Sequence, residues 1–243
     1  NYHFLDDSFD KEILKEIKNY NYILVSIPPK NGIDIVIKNF QKILEILKTN
    51  WITYLSATSV YGDHNGEWVD ENSKVNPITE NGKSRLNAEK AWINLAKKKN
   101  LPIQIFRLSG IYSKERNILE KIKSGSYKII NKPNHFFSRI HIEDISNVLK
   151  ITLDLKSIKP GEIYNLSDDY PCSNIEIANY AYKIMKVSKP EMIEISEIKS
   201  EMLRNFYRDS KKVSNKKIKK VFSYKLRFPT YREGLDSIFN HFI

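Results

Sequence analysis

The stretch YLSATSVYGDHNGEW (54–68) sets Ser56, Thr58, Ser59, Tyr61, Asp63, His64 and Glu67 within fifteen residues. Its β-branched and aromatic beginning predicts a strand, and the small hydroxyl residues before Tyr61-Gly62-Asp63 predict its exit. A strand leaving a sheet in this way delivers polar side chains to the rim. Imidazoles and carboxylates are the usual proton-transfer groups. Tyr61, Asp63, His64 and Glu67 are therefore acid/base candidates, with His141 further along the chain. Plainer roles stand beside these: Tyr61 packing a loop edge, Gly62 serving a turn, His64 on the surface, and Trp68 anchoring a loop or shelving over a cleft. Ser26-Ile27-Pro28-Pro29 closes an earlier strand pattern, and strand carboxyl ends are where open α/β sheets bind ligands.

The elements that must position these groups follow a regular rhythm. YNYILVSIPP (20–29) reads as a short buried strand stopped by two prolines. GIDIVIKNFQKILEILKTN (32–50) carries apolar residues at three- and four-residue spacing and predicts an amphipathic helix closed by Asn50. The strand WITYLSATSVYG comes next. SRLNAEKAWINLAKKKN (84–100) predicts a second helix, with Leu86, Ala88, Trp92 and Leu95 near one face, and LPIQIFRLSGIY (101–112) a further strand. Strand, helix, strand, helix, strand with short links predicts βαβ units and a parallel sheet covered on both faces. Beyond Tyr112 come a helix in RNILEKIKSG, a turn-rich stretch, a helix from about Ile145 to Lys156 and the strand GEIYNLSDD (161–169). SNIEIANYAYKIMKV (173–187) predicts a helix capped by Ser173, 189–228 a smaller lobe, and TYREGLDSIFNHF a closing helix.

Composition narrows the class. In 243 residues, 41% hydrophobic and 12% aromatic content supports a packed core and argues against wholesale disorder. No run approaches ~18 uncharged apolar residues, so no membrane span is expected. The opening NYHFLDDSFDKE is acidic and lacks the apolar core of a signal peptide. The single cysteine, Cys172, excludes an internal disulfide and a cysteine-based zinc site, and no metal site is expected. A cytoplasmic protein is the expectation. The net charge of +11 raises nucleic-acid binding, but lysines are spread over nearly every predicted helix. The densest run, RDSKKVSNKKIKK (208–220), is the best polyanion-patch candidate, with a solvated helix face as the plainer alternative.

Five segments in order, YLSATSVYGD, NGKSRLNAEKAW, IFRLSGIYSKERN, SRIHIEDI and GEIYNLSDD, resemble the extended short-chain dehydrogenase/reductase superfamily in its NAD-dependent epimerase/dehydratase branch. VSIPP, GEWVDE, RLNAEKAW and FPTYREGL are similar to an atypical bacterial subgroup of that branch. The resemblance runs from about residue 20 to 240. It implies a first strand, a Gly-rich turn and a helix whose N-terminus holds the dinucleotide pyrophosphate. The eight glycines here are isolated and form no such turn. The resemblance places Asn1 just after the family's third strand, with roughly 50 residues expected upstream from a ~30-residue βαβ unit and a flanking strand.

In the typical family member a Tyr is the general acid/base, and a Lys four residues later lowers its pKa and holds the ribose. A Ser or Thr on the preceding strand orients the substrate oxygen. That chemistry needs a phenol brought well below its free pKa of about 10. Aligned on that pattern, NGKSRLNAE puts Asn81 at the Tyr position and Arg85 at the Lys position, while Ala57 takes the Ser/Thr position. Asn transfers no proton, and Arg keeps the charge and the fork but cannot be deprotonated. The subgroup as a whole lacks the usual Tyr-x-x-x-Lys pair.

The resemblance implies a catalytic set of Thr58, Tyr61, Asn81 and Arg85. It implies a cofactor set of Ser26, Ile27, Pro28, Ser56, Arg85, Leu108, Ser109, Gly110 and Ile111. Ala57, His64, Trp68 and Arg139 form the implied substrate set, and Asp144 a helix-capping acid. The expected fold is a Rossmann-like, doubly wound, mostly parallel α/β sheet lacking its N-terminal βαβ, with a small C-terminal α+β substrate lobe. Residues 1–165 would form the Rossmann-like domain and 166–243 mainly the lobe and closing helix. The expected function is an atypical epimerase/dehydratase-type oxidoreductase whose full-length form uses NAD or NADP, acting on a nucleotide-sugar-like or other polar carbonyl or alcohol substrate. The alternatives are a catalytically inactive NAD(P)-binding sensor or scaffold and, behind it, a basic nucleic-acid binder. A small molecule is the expected partner and a homodimer the oligomeric option.

Overall fold

The computed structural model describes Phe4–Leu5 and residues 8–240. Four strands form the central sheet: β1 (Tyr22–Val25), β2 (Trp51–Ala57), β3 (Ile103–Leu108) and, after two short strands β4 (Gly110–Tyr112) and β5 (Arg139–His141), β6 (Glu162–Leu166). Their order is β6-β3-β2-β1, and every pairing is parallel. The middle strands read as nearly continuous apolar runs because both faces are covered. Ile103 and Ile105 face one helical layer, while Phe106 and Leu108 face the other. The doubly wound parallel arrangement expected from the βαβ rhythm is the one observed.

On the first face lie α1 (Ile35–Leu44) and α2 (Glu80–Lys99). Helix α1 starts at Asp34, whose carboxylate accepts from Ile37 N, and it ends well short of Asn50. Helix α2 starts four residues earlier than the apolar pattern predicts, because Thr79 Oγ1 accepts from Gly82 N and caps it there. It stops at Asn100 in the left-handed region, with Lys97, Lys98 and Lys99 near the negative end of the helix dipole. Trp92 stacks on Tyr54 and donates from Nε1 to Asp34 Oδ2 at 2.9 Å, tying both helices to β2.

The opposite face carries α3 (Ile142–Leu153) and, far along the chain, α6 (Lys216–Phe222). Between them in sequence come α4 (Asn174–Met185), capped as expected by Ser173, and the short α5 (Glu201–Phe206). The closing helix α7 (Tyr231–Phe239) packs with α4 and with Tyr112, Ile118, Leu119 and Ile129. This cluster thus draws on residues from both sides of β6. Asp144 is buried in the first turn of α3, yet His141 is the residue that caps that helix. Asp144 instead accepts from Arg227 N, Phe228 N and the Tyr224 hydroxyl at 2.7, 3.1 and 2.5 Å, anchoring the segment that leads to α7.

Strand β6 is a sheet edge, and side chains occupy its outer backbone groups. Asn165 N donates to Glu71 Oε1 at 2.7 Å, and Ile163 O accepts from Lys217 Nζ at 2.6 Å. Such blunting removes a template for pairing with another chain.

A polar row crosses the sheet beneath α2. Ser56 and Asn165 flank Arg107 in register. Arg107, 4% exposed, forms a forked pair with Glu89 of α2, 1% exposed, through Nη2–Oε2 at 2.7 Å and Nε–Oε1 at 3.1 Å. Removing one member of a buried pair strands the other charge. Glu89→Gln is expected to destabilise the protein by about 3 kcal/mol, read by urea unfolding. Glu80→Gln, which breaks the exposed pair with Lys83, is expected to cost less than ~0.5 kcal/mol. Equal costs would contradict this account.

Candidate functional site

The carboxyl ends of β1, β2 and β3 open on the same edge of the sheet, since all run parallel. Strand β2 ends at Ala57 and passes into a tight helical turn, Thr58–Tyr61. Gly62 then adopts φ +72°, and a Cβ there would lie 1.9 Å from Asn76 O, so only glycine fits. The start of α2 presses onto this turn. A Cβ on Gly82 would approach Ser59 O to 2.8 Å. That contact seats the start of α2 on the turn Thr58–Tyr61.

Two consecutive residues of α2 gather two strand exits. Ser84 Oγ accepts from Gly32 N at 3.1 Å, fixing the loop after β1. Arg85 Nη1 donates to Leu55 O at 2.8 Å and lies 3.4 Å from the Tyr54 hydroxyl, fixing the end of β2. The guanidinium is half-buried, and Asn81 is exposed one turn earlier. Ala57 and Thr58 are half-buried at the same edge, where Ser26 and Pro28 are exposed and Ile27 packs partly into the core. Ser26, Ile27, Pro28, Ala57, Thr58, Asn81 and Arg85 thus belong to the exits of β1 and β2 and to the first two turns of α2.

Other residues expected at the site are placed differently. Tyr61 is fully buried, with its hydroxyl donating to Asn165 Oδ1 at 2.8 Å and the Arg107 guanidinium 4.8 Å from its ring centre. Burial pushes its pKa up to about 12. A phenol so placed holds the turn, its hydroxyl committed to Asn165. The Arg139 guanidinium is likewise taken up internally. Nη1 donates to Phe137 O, Cys172 O and Cys172 Sγ, and Nη2 to Asn174 Oδ1 at 2.6 Å. It is a fastener of the small lobe, not a free anion receptor.

Ser56 is buried in the polar row, and Leu108 belongs to the core on the α3 face. Ser109 is buried, its N–H donating to Leu166 O at 3.0 Å, whereas Gly110 and Ile111 are exposed in β4. His64 is half-buried, meets the edge of the Tyr61 ring and has Nε2 3.1 Å from Lys74 O. Trp68 is exposed on a two-residue strand paired with Lys212-Val213. His141 is buried between Tyr112 and Phe228, and burial lowers its pKa. Cys172 is buried, and burial pushes its thiol up to about 11.

The basic run 208–220 is largely woven into the fold. Lys211 is buried beside Asp209, Lys212 lies over the Phe136 ring, Lys217 reaches β6, and Lys219 pairs with Asp169 at 2.5 Å. Among the described residues no group of three potential metal ligands occurs, and no helix is long and apolar enough to cross a membrane.

Two polar residues here carried no recognisable signal in the sequence. Asn165 joins Tyr61 to the chain at Ser214, and its partners are 104 and 49 residues away. Asp168 lies buried just beyond β6, where burial pushes its pKa up to about 8. An acid raised in the folded state binds more protons there than when unfolded, so its contribution is fully present below the ordinary carboxylate range. That contribution is lost as pH rises toward about 8. Stability measured by urea unfolding is expected to fall between about pH 5 and pH 8, and Asp168→Asn is expected to flatten that slope. An unchanged slope in the variant would show that Asp168 is ionised throughout.

No family model matches the chain, and no curated protein matches it. Among solved structures it is similar to a functionally unknown conserved protein from Silicibacter pomeroyi DSS, with 31% identity and a TM-score of 0.86, covering 96% of this chain and 88% of that one. It is also similar to UDP-glucuronic acid 4-epimerase from Bacillus cereus in complex with NAD, at 17% identity and TM-score 0.76, covering 96% and 79% of the two chains. dTDP-glucose 4,6-dehydratase from Bacillus anthracis str. Ames in complex with NAD gives 16% identity and TM-score 0.75, covering 94% and 75%. At these lower identities the likeness is one of fold. The chain belongs to the family of the conserved Silicibacter pomeroyi protein and carries the Rossmann-like fold of the epimerase and the dehydratase.

Proposed function

We propose that this protein is an atypical NAD- or NADP-dependent oxidoreductase of the epimerase/dehydratase type, acting on a nucleotide-sugar-like or other polar carbonyl or alcohol substrate. The observation that carries this reading is the placement of Arg85. A permanent cation, fastened to Leu55 O, stands at the sheet edge where the resemblance sets the ribose-holding lysine. The nucleotide-sugar enzymes that share the fold, whose structures contain NAD, support it.

The residues present fit the ribose side of a dinucleotide: Arg85 offers its remaining donors, and Ser26, Ile27 and Pro28 line the neighbouring strand exit. They supply no Gly-rich pyrophosphate turn, since the eight glycines are isolated. When bound, the nicotinamide supplies hydride transfer. This chain's own contribution is orientation. The amide of Asn81 and the hydroxyl of Thr58 hydrogen-bond a substrate oxygen without exchanging its proton, as neither titrates in the accessible range. A group of the loop that follows the turn, Asp63, His64 or Glu67, would have to supply the proton transfer.

Calorimetric titration of the full-length protein, with the sequence upstream of Asn1 included, with NAD and NADP tests the reading. One dinucleotide is expected to bind. Arg85→Ala is expected to weaken it by about tenfold or more, and Arg85→Lys by no more than about threefold, since a lysine keeps the charge but loses the fork. Reduction of the bound dinucleotide on adding UDP-glucuronic acid or dTDP-glucose, followed by absorbance, would extend the result to the substrate class. No heat from either dinucleotide would sink the proposal.

A further inference from the structure

The loop that leaves β2 carries Asp63, His64 and Glu67, and a tight turn gives it its shape. His64 O accepts from Glu67 N at 2.9 Å, with Asn65 at φ +51° and Gly66 at φ +79° between them. Positive φ at both central residues makes this a type I′ turn, the geometry that Asn-Gly favours.

The turn's own bonds set its shape, and Ser210 sets its place. This buried serine lies 147 residues beyond Asp63. Its N–H donates to Asp63 Oδ1 at 2.8 Å, and its carbonyl accepts from His64 N and Gly66 N at 3.1 and 2.9 Å. Its hydroxyl accepts from Phe136 N at 3.0 Å, which ties the same residue to the segment before β5. The grip continues along the chain, where Lys212 N donates to Glu67 O at 2.9 Å and Ser214 N to Val69 O at 2.8 Å. The rim loop is thus fastened to the segment between α5 and α6. Among these contacts the loop contributes a single side chain, that of Asp63. Its Oδ1 accepts from Ser210 N and also, at 3.2 Å, from Asn65 N inside the turn. A charged acceptor makes such bonds roughly twice as strong as neutral ones. One carboxylate oxygen therefore both shapes the turn and moors it.

We propose that Asp63 is a positioning residue that moors the rim loop to Ser210, leaving proton transfer by this loop to His64 or Glu67. The mooring stands on the geometry alone, whereas the division of roles rests on the function proposed above.

Two measurements on the full-length protein separate these parts. Amide hydrogen exchange followed by NMR reads the mooring without any reaction. Asp63→Ala is expected to speed exchange at Asn65 and Ser210 by about tenfold or more, as loss of a charged hydrogen bond implies, with His64 and Gly66 following. Asp63→Asn keeps an acceptor oxygen and is expected to restore most of the protection. Asp63 is exposed, and a thermal melt verifies that both variants remain folded. Turnover of UDP-glucuronic acid or dTDP-glucose with NAD, followed by chromatography of the sugar nucleotide, reads the division of roles. Asp63→Ala is expected to lower kcat, and Asp63→Asn to recover most of it with an unchanged pH profile, because Asn accepts a hydrogen bond but transfers no proton. Unchanged exchange in Asp63→Ala would overturn the mooring. Loss of kcat in Asp63→Asn while its amides stay protected would overturn the division of roles and mark Asp63 as the acid/base. Absence of turnover by the unaltered protein would count against the function proposed above and the division of roles with it, while the exchange rates still decide the mooring.

Discussion

The Arg107–Glu89 pair is the constraint on which the architecture of the rim depends. It joins the middle of the sheet to α2 in a place from which water is nearly excluded. Two charges buried together are tolerable only when the geometry is good and further donors are satisfied. Here the fork is bidentate and the guanidinium lies over Tyr61, whose hydroxyl reaches Asn165 on the edge strand, while Nη1 is buried without a hydrogen-bond partner. One pair thereby fixes the rotation of α2, the seat of the turn after β2 and the position of β6.

That rotation decides what α2 offers at the sheet edge. With Glu89 drawn inward and Trp92 stacked on Tyr54, Ser84 and Arg85 face the strand exits one turn nearer the N-terminus. The close approach of Gly82 to Ser59 O completes the arrangement, because any side chain there would lift the helix from the turn. The site is held by packing and hydrogen bonds that lie behind it, while Asn81 remains free at the surface.

Burial separates the polar residues into those that build and those that remain available. Tyr61, Arg139 and Asp144 are chemically capable groups whose hydrogen-bonding capacity is directed inward. Arg85 spends one donor on Leu55 O and keeps part of its fork. A buried polar group must be satisfied by its own protein, so what it could do for a ligand is already committed.

The alternation of strand and helix, the apolar runs of β2 and β3, and the cap at Ser173 were legible in the sequence. Each is a local consequence of side-chain periodicity or of one hydroxyl beside one N–H. The loss of a proton-transferring residue at Asn81 was equally legible, since it depends only on residue type. The roles of Tyr61 and Arg139 were not, because a phenol or guanidinium reads the same whether it faces solvent or Asn165 and Asn174. By itself the sequence determined the parallel α/β fold and the residues available at its rim. Only the tertiary structure decided which of them face outward, because partners such as Arg107 with Glu89, or Tyr61 with Asn165, lie 18 and 104 residues apart. Contacts at such separations form only when the whole sheet closes.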